Sequence, residues 1–405
     1  MTALLINGAT LIDGTGADPR RDASVLVEGA RITRVGSAGS IAAPDGARAV
    51  DGTGFTMMPG LTDAHVHFGL TADATPQPES HVSYVLKVAE NIRIALHEGF
   101  TTVRDAGGLD PAFALAVEQG QIVGPRILPA GSFISMTGGH GDQRPRFEDA
   151  ATEPIAGLRA YPEICDGVDA VRRAARTQIR RGATHVKLMA SGGVMSPNDP
   201  IESLQFTIEE MAAAVHEAHS FGKYAMAHCH TAGATRNALA AGVRSIEHGS
   251  MLDEETVQLM AKHEAYLVPT VVILEILARA SNIPEFSRAK LDLVRGEIAG
   301  SIELARRANV HIGSGSDLLG PRQSRRASEI VEKAKHMAPM QAIVSATKTN
   351  SELFRTEAHA GTIAEGKDAD FILVAGDPLD DISILVDASN VRLVVKGGVV
   401  VKDSL

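Results

Sequence analysis

Tryptophan is absent from the 405 residues, and aromatic side chains make up only 4% of the chain. Cysteine is scarcer still. Cys165 and Cys229 are too few for a disulfide framework or a thiolate metal cage, and both read as reduced packing residues. No apolar run reaches the ~18 residues that a membrane-spanning helix requires. The stretch MTALLINGATLIDGTG has neither a basic leader nor a long apolar segment ending in a cleavage site, so a cytoplasmic enzyme is the default expectation. Basic charge is in deficit as well. Lys and Arg number 39 against 49 Asp and Glu, and the net charge of −10 disfavours attraction to nucleic acid or anionic lipid, which both need a basic face. Neither partner is expected. No close repeat recurs at a fixed period, which argues against a solenoid.

What the chain has is alternation. The first fifty-odd residues and the last forty read as short strands broken by Gly and Asp turns, for example ALLINGATLID, DADFILVAGDP and NVRLVVKGGVVVKD. Two β-rich ends suggest one small sheet domain built from both termini. Between them lie eight candidate strands: MMPGLTDAHVHF, TTVRDAG, RILPAGSFIS, HVKLMAS, YAMAHCH, SIEHGS, AYLVPTVV and HIGSGSD. Most intervening segments carry helical spacing, such as GVDAVRRAARTQIRRG and TIEEMAAAVHEAHSFG, the second opened by a capping box of Thr207 and Glu210. Eight strand-helix units point to an α/β protein, a parallel (β/α)8 TIM barrel with a small β-sandwich domain built from both chain termini. The expected parts are residues 1–57 and 356–405 for the sandwich and 58–355 for the barrel. The Gly-, Pro- and Arg-rich stretch from Met136 to Cys165 is longer than an ordinary βα connection, and such loops are often lids.

In such a barrel the active site gathers at the C-terminal strand ends. His65 and His67 end the first strand, Lys187 lies on the fourth, His228 and His230 end the fifth, His248 is on the sixth and Asp317 ends the eighth. A lone strand histidine is ordinarily a hydrogen-bonded core residue, but histidine at several strand ends with an aspartate at another is a donor set for zinc or a similar ion. His65 and His67 are two apart, so on a strand they project from the same face. His230 shares the face of His228, while Cys229 between them points toward the helices. His185 reads as interior packing, His216 and His219 as a solvated helix face, and Arg104 as a residue that structures the site.

The segments PGLTDAHVHF, HVKLMASGG, AHCHTAGATRNALAAGVRSIEHGS, IGSGSD and ATKTNSELF...GTIAEGKDADFILVAGDPL, in that order, closely resemble the metal-dependent amidohydrolase superfamily. The resemblance is narrower to its imidazolonepropionase-like branch, with Xaa-Pro dipeptidases, carboxypeptidases acting on N-acyl amino acids and ochratoxin-cleaving amidases. It implies that His65 and His67 hold one divalent ion, His228 and His248 a second, that Lys187 bridges both as a CO2-derived carbamate, and that Asp317 coordinates the first. An ammonium cannot ligate a cation, so the lysine fits only with its charge removed or reversed. Two Zn2+ ions would then acidify a bridging water and polarise the scissile carbonyl, with Asp317 accepting the proton and passing it to the leaving amine. His230 is implied to hydrogen-bond the carbonyl oxygen. His140, in the long loop, is implied to meet the substrate's carboxylate, and Arg144 and Arg146 are further candidates because an Arg fork matches that anion.

The expected activity is therefore hydrolysis of a peptide or amide bond with an amino-acid leaving group, in a dipeptide, an N-acyl amino acid or an ochratoxin-like amide. The resemblance also implies a homo-oligomer. A cyclic amidase or lactonase is the alternative, since a bridging hydroxide attacks any polarised acyl carbon. A deaminase fits less well because that branch generally lacks the strand-four lysine, and a non-catalytic scaffold would be expected to have lost ligands.

Overall fold

A computed structural model of the chain describes residues 3–71, 79–144, 147, 149–150, 153–321 and 323–405. The N-terminal end supplies strands β1 (Ala3–Leu11), β2 (Arg20–Glu28), β3 (Arg31–Ser37), β4 (Arg48–Asp51) and β5 (Phe55–Pro59). The middle supplies β6 (Leu61–Val66), β7 (Phe100–Asp105), β8 (Arg126–Pro129), β9 (Ile134–Ser135), β10 (Glu163–Ile164) and β11 (Val186–Met189). It continues through β12 (Ala225–Thr231), β13 (Ser245–Met251), β14 (Tyr266–Val268) and β15 (His311–Ile312). The C-terminal end adds β16 (Phe371–Ala375), β17 (Val391–Lys396) and β18 (Val399–Asp403).

Both ends of the chain meet in one eight-stranded sheet, ordered β18-β17-β16-β5-β1-β2-β3 with β4 alongside β1. The join is the antiparallel β16–β5 pair, which runs from Ala375 opposite Phe55 to Phe371 opposite Pro59. The boundary expected between residues 57 and 58 thus falls inside β5. Alternation along β16 buries both faces of the sheet there. Phe371 and Leu373 pack with Ile6, Val25 and Val395, whereas Ile372 and Val374 pack on the other side with Val88 and Ile92 of the helix His81–His97.

The middle of the chain forms two parallel sheets, β6-β7-β8 and β10-β9-β11-β12-β13-β14-β15. Strands buried on both faces read as continuous apolar runs, as YLV of β14 does. Main-chain hydrogen bonds tie the two sheets together at both margins: Ala64 donates to Ser314 and Asp317 to His65 on one side, and Thr184 donates to Pro129 on the other (2.8, 2.7 and 2.8 Å). All eight expected strand segments contain strand, with one difference. RILPAGSFIS is divided into β8, which pairs with β7, and β9, which pairs with β11. The cause is local: Gly131 takes φ +76°, and the next N–H, of Ser132, goes to the Gln178 side chain instead of to a ladder.

Helices alternate with these strands. Val168–Arg180 and Ile208–Ser220 follow the expected spacing, and the Thr207–Glu210 capping box is present. Their apolar faces, with Cys165 and Cys229, fill one large cluster outside β11–β14. His216 and His219 are exposed, and His185 is buried against Tyr224 with ring centroids 5.6 Å apart. Among the described residues no helix is long and apolar enough to cross a membrane.

Candidate metal centre

β6 and the segment after β15 build the first part of the site. Asp63 accepts the backbone N–H groups of both His65 and Ser316 (3.1 and 2.9 Å), which locks the two segments side by side. Asp317 then lies with Oδ1 3.3 Å from His67 Nε2 and 3.6 Å from His65 Nε2. His65, His248 and Asp317 each bring a ligand atom within 4.8 Å of the others. β12 and β13 supply the second part. The His228 and His248 ring centroids are 4.4 Å apart, and His230 stacks on His248 at 4.9 Å.

Backbone strain marks this rim. His248, Thr270 and Asp317 all carry left-handed φ values, +70°, +51° and +53°, which non-glycine residues seldom adopt outside sites whose surroundings hold them there. At His248 the consequence is specific. Neighbours on a strand should face opposite ways, yet Glu247 reaches His65 while His248 reaches the same cluster.

Hydrogen bonds to groups that can only accept fix three tautomers. His67 donates from Nδ1 to the Gly107 carbonyl (2.7 Å), His65 from Nδ1 to the Glu247 carboxylate (2.7 Å), and His228 from Nε2 to the Gly192 carbonyl (3.1 Å). The nitrogens turned to the cluster are Nε2 of His65, Nε2 of His67, which meets Asp317, and Nδ1 of His228. The two Nε2 atoms lie 3.2 Å apart. Tetrahedral Zn–N bonds of about 2.0–2.1 Å would set two ligating nitrogens about 3.3 Å apart. The donor set therefore fits a divalent ion.

Burial and charge act differently on the members of the set. Burial, followed by the Lys187 charge, holds His65 below its ordinary value, and burial holds His228 and His248 well below theirs. At Asp317 burial pushes upward, but His65, His67 and Lys187 outweigh it and keep the carboxylate ionised. Burial also lowers His67, yet its hydrogen bond to Asp317 and that charge win, so its pKa is raised. Lys187 is 1% exposed on β11, and burial brings its amine down to about 8 against the pull of Glu247 and Asp317. A lysine so lowered offers a larger neutral, nucleophilic fraction than a surface one.

Glu247 and Arg104 form a layer beneath the histidines. Burial raises the Glu247 carboxyl, but Arg104 and His65 overcome it and bring it to about 2. Arg104 donates to Glu247 (2.9 Å), to Ser245 and to the Ala64 carbonyl, so it structures the site as expected. Asp105, pushed to about 7 by burial, accepts the N–H groups of Gly107 and Phe68 and so holds the turn whose carbonyl orients His67. Sequence reasoning missed Glu247, Asp105 and Thr270. Thr270 Oγ1 lies 2.7 Å from His248 Nδ1.

The substrate candidates fare differently. His140 is brought to the cluster, its ring stacked on His228 at 4.3 Å and its Nδ1 2.8 Å from Ser196 Oγ. His230 is there too, with Nδ1 3.0 Å from Ser250 Oγ and its pKa lowered by burial to about 3. Arg144 instead forms a two-pronged pair with Asp142 (2.6 Å each) and donates to the Asp149 carbonyl. Its fork is occupied within its own loop. Arg146 lies outside the described residues.

Comparison with known proteins agrees with this geometry. The amidohydrolase family pattern matches residues 56–401, and the chain belongs to that family. It is an enzyme of the class that hydrolyses amide or peptide bonds, and members of the family generally use divalent metal ions. It is 33% identical to ochratoxinase from Aspergillus niger over 97% of this chain and 85% of that one. A prolidase solved in complex with N-methylphosphonate-L-proline superposes with a TM-score of 0.93 at 37% identity, covering 99% of this chain and all (100%) of the other. A Xaa-Pro dipeptidase with methionine bound in its active site gives 0.90 at 33% identity, over 99% and 100% of the two chains.

Proposed function

We propose that the chain is a binuclear metal-dependent hydrolase acting on a small dipeptide or N-acyl amino acid, ochratoxin-like amides included, and releasing an amino acid. In this reading the two parallel sheets form one (β/α)8 barrel over residues 58–355, and the terminal sheet is a β-sandwich accessory domain. The observation that carries the proposal is the approach of Nε2 of His65 and Nε2 of His67 to 3.2 Å beside Asp317, with buried Lys187 and the His228–His248 pair adjoining. The kinship with ochratoxinase, prolidase and Xaa-Pro dipeptidase supports an amino-acid leaving group.

His65, His67 and Asp317 would hold one ion, His228 and His248 the other, and a carbamate on Lys187 would bridge them. Zinc suits the histidine-rich donors. When bound, the ions supply acidification of a water and polarisation of the scissile carbonyl. Asp317, held ionised by its neighbours, accepts the proton of that water and returns it to the leaving nitrogen. His230, neutral and anchored at Nδ1 by Ser250, hydrogen-bonds the carbonyl oxygen from its other nitrogen as charge develops there. His140 turns its remaining ring edge to the substrate's carboxylate. Xaa-Pro dipeptides, N-acyl amino acids and lactones assayed side by side on zinc-loaded enzyme test the reading. Turnover of the first two, lost on chelation and restored by zinc, is expected; turnover of lactones alone would overturn it.

A further inference from the structure

Lys290 lies in the helix Glu285–Arg307, on none of the strands that carry the histidines. Its side chain is only 17% exposed, yet the nearest carboxylate oxygen, of Asp199, stands 3.9 Å away. The ammonium donates instead to three main-chain carbonyls, those of Gly193 (3.1 Å), Ser196 (2.7 Å) and Asp199 (2.5 Å). All three of its donors go to the one segment that follows β11.

That segment is the wall on which the second group of rings rests. The Gly192 carbonyl accepts a hydrogen bond from His228 Nε2, and Ser196 Oγ meets His140 Nδ1. The His140 ring lies against Gly193, where a Cβ would stand 2.1 Å from Cε1. Asp199 Oδ2 accepts from the Gly193 N–H (3.2 Å) and from Gln205 Nε2 (2.9 Å), and Gln205 Oε1 accepts the His140 N–H (2.8 Å). Three carbonyl dipoles aimed at one point repel one another, so the charge between them is what closes the turn.

We propose that Lys290 is a positioning residue: by gathering the carbonyls of Gly193, Ser196 and Asp199 it sets the segment that orients His228 and His140 while touching neither ring. Its effect on metal binding rests on the binuclear reading; its effect on the segment does not. Charge-assisted hydrogen bonds of this kind are worth enough that losing them should speed local opening about ten- to a hundredfold.

The test uses the full chain with Lys290→Met, which keeps the bulk of the side chain, and Lys290→Arg, which keeps the charge. Hydrogen exchange of peptides covering residues 191–205 is followed on metal-free protein, and zinc uptake and steady-state kinetics on the same proteins. Lys290→Met is expected to accelerate exchange in that segment alone, to weaken the ion assigned to His228 and His248 about tenfold while sparing the one assigned to His65 and His67, and to raise KM more than it lowers kcat. Lys290→Arg should recover part of each loss. Unchanged exchange at 191–205, or a uniform acceleration across the chain that arginine does not relieve, would overturn the proposal. Should the methionine variant fail to fold, Lys290→Gln, with two donors in place of three, must fall between wild type and full loss. A wild-type chain that takes up fewer than two zinc ions breaks the binuclear reading and leaves the exchange result to decide the role of Lys290.

Discussion

The two halves of the histidine cluster are wired differently. On one side, His65 and His67 are set by charged or strongly polar groups: Glu247 backed by Arg104, Asp317, and the Gly107 carbonyl held by Asp105. On the other, the rings of His228, His248, His230 and His140 are hydrogen-bonded by a carbonyl and the hydroxyls of Thr270, Ser250 and Ser196, with Asp317 Oδ2 4.0 Å from His248 Nδ1. The pKa directions follow. His67 is raised, whereas burial leaves His228 and His248 well below their ordinary values. Carboxylates beside a ligand raise its basicity and add negative charge, so the first half should hold its ion more tightly than the second.

In the proposed centre Lys187 would serve both halves, and its loss should erase the difference. Lys187→Ala is expected to lose most of the bound metal and nearly all turnover, as metal analysis and kinetics on one preparation will show. Asp317→Asn comes next. It should retain metal while kcat falls about 10²–10⁴-fold, the usual worth of a positioned acid–base group. Glu247→Gln sharpens the contrast, because it leaves Arg104 uncompensated and removes the anion from His65. Affinity for the tighter ion should drop about 10–100-fold, and unfolding should become easier by ~3–5 kcal/mol, the cost of breaking a buried ion pair. Thr270→Val is its counterpart. It should weaken only the looser ion, within about tenfold, because a neutral hydroxyl rather than a charge is lost. Equal effects of the Glu247 and Thr270 substitutions on both ions would break the comparison. The smallest effect is expected at His140, where alanine should chiefly raise KM for carboxylate-bearing substrates; an unchanged KM would remove it from the substrate site.

How much of this was legible in the sequence depended on whether ordinary geometry applied. The His65–His67 pair and the His228–His230 pair were readable because β6 and β12 keep the two-residue period. Lys187 could be placed on the fourth strand, but only the family resemblance gave it a role at the site. Glu247 did not stand out. Regular alternation turns it away from whatever His248 faces, and only the left-handed backbone at His248, which local sequence does not announce, lets both enter the same cluster. Thr270 was hidden in the same way. Nothing in the sequence singles out Lys290, since its carbonyl partners lie almost a hundred residues earlier. Arg144 is the reverse case. In sequence a loop arginine is a candidate anion receptor, and in the structure Asp142, two residues before it, takes both prongs of its fork. The terminal sheet was readable as strands, while the antiparallel β5–β16 pair that unites the chain ends is a long-range contact that periodicity cannot specify.

The most direct measurement is anomalous diffraction at the zinc edge from crystals of the zinc-loaded chain. Two peaks are expected, one against Nε2 of His65 and His67 and one against Nδ1 of His228, with density for a carbamate on Lys187 reaching both. A single peak, or an unmodified Lys187 amine beside two peaks, would contradict the account.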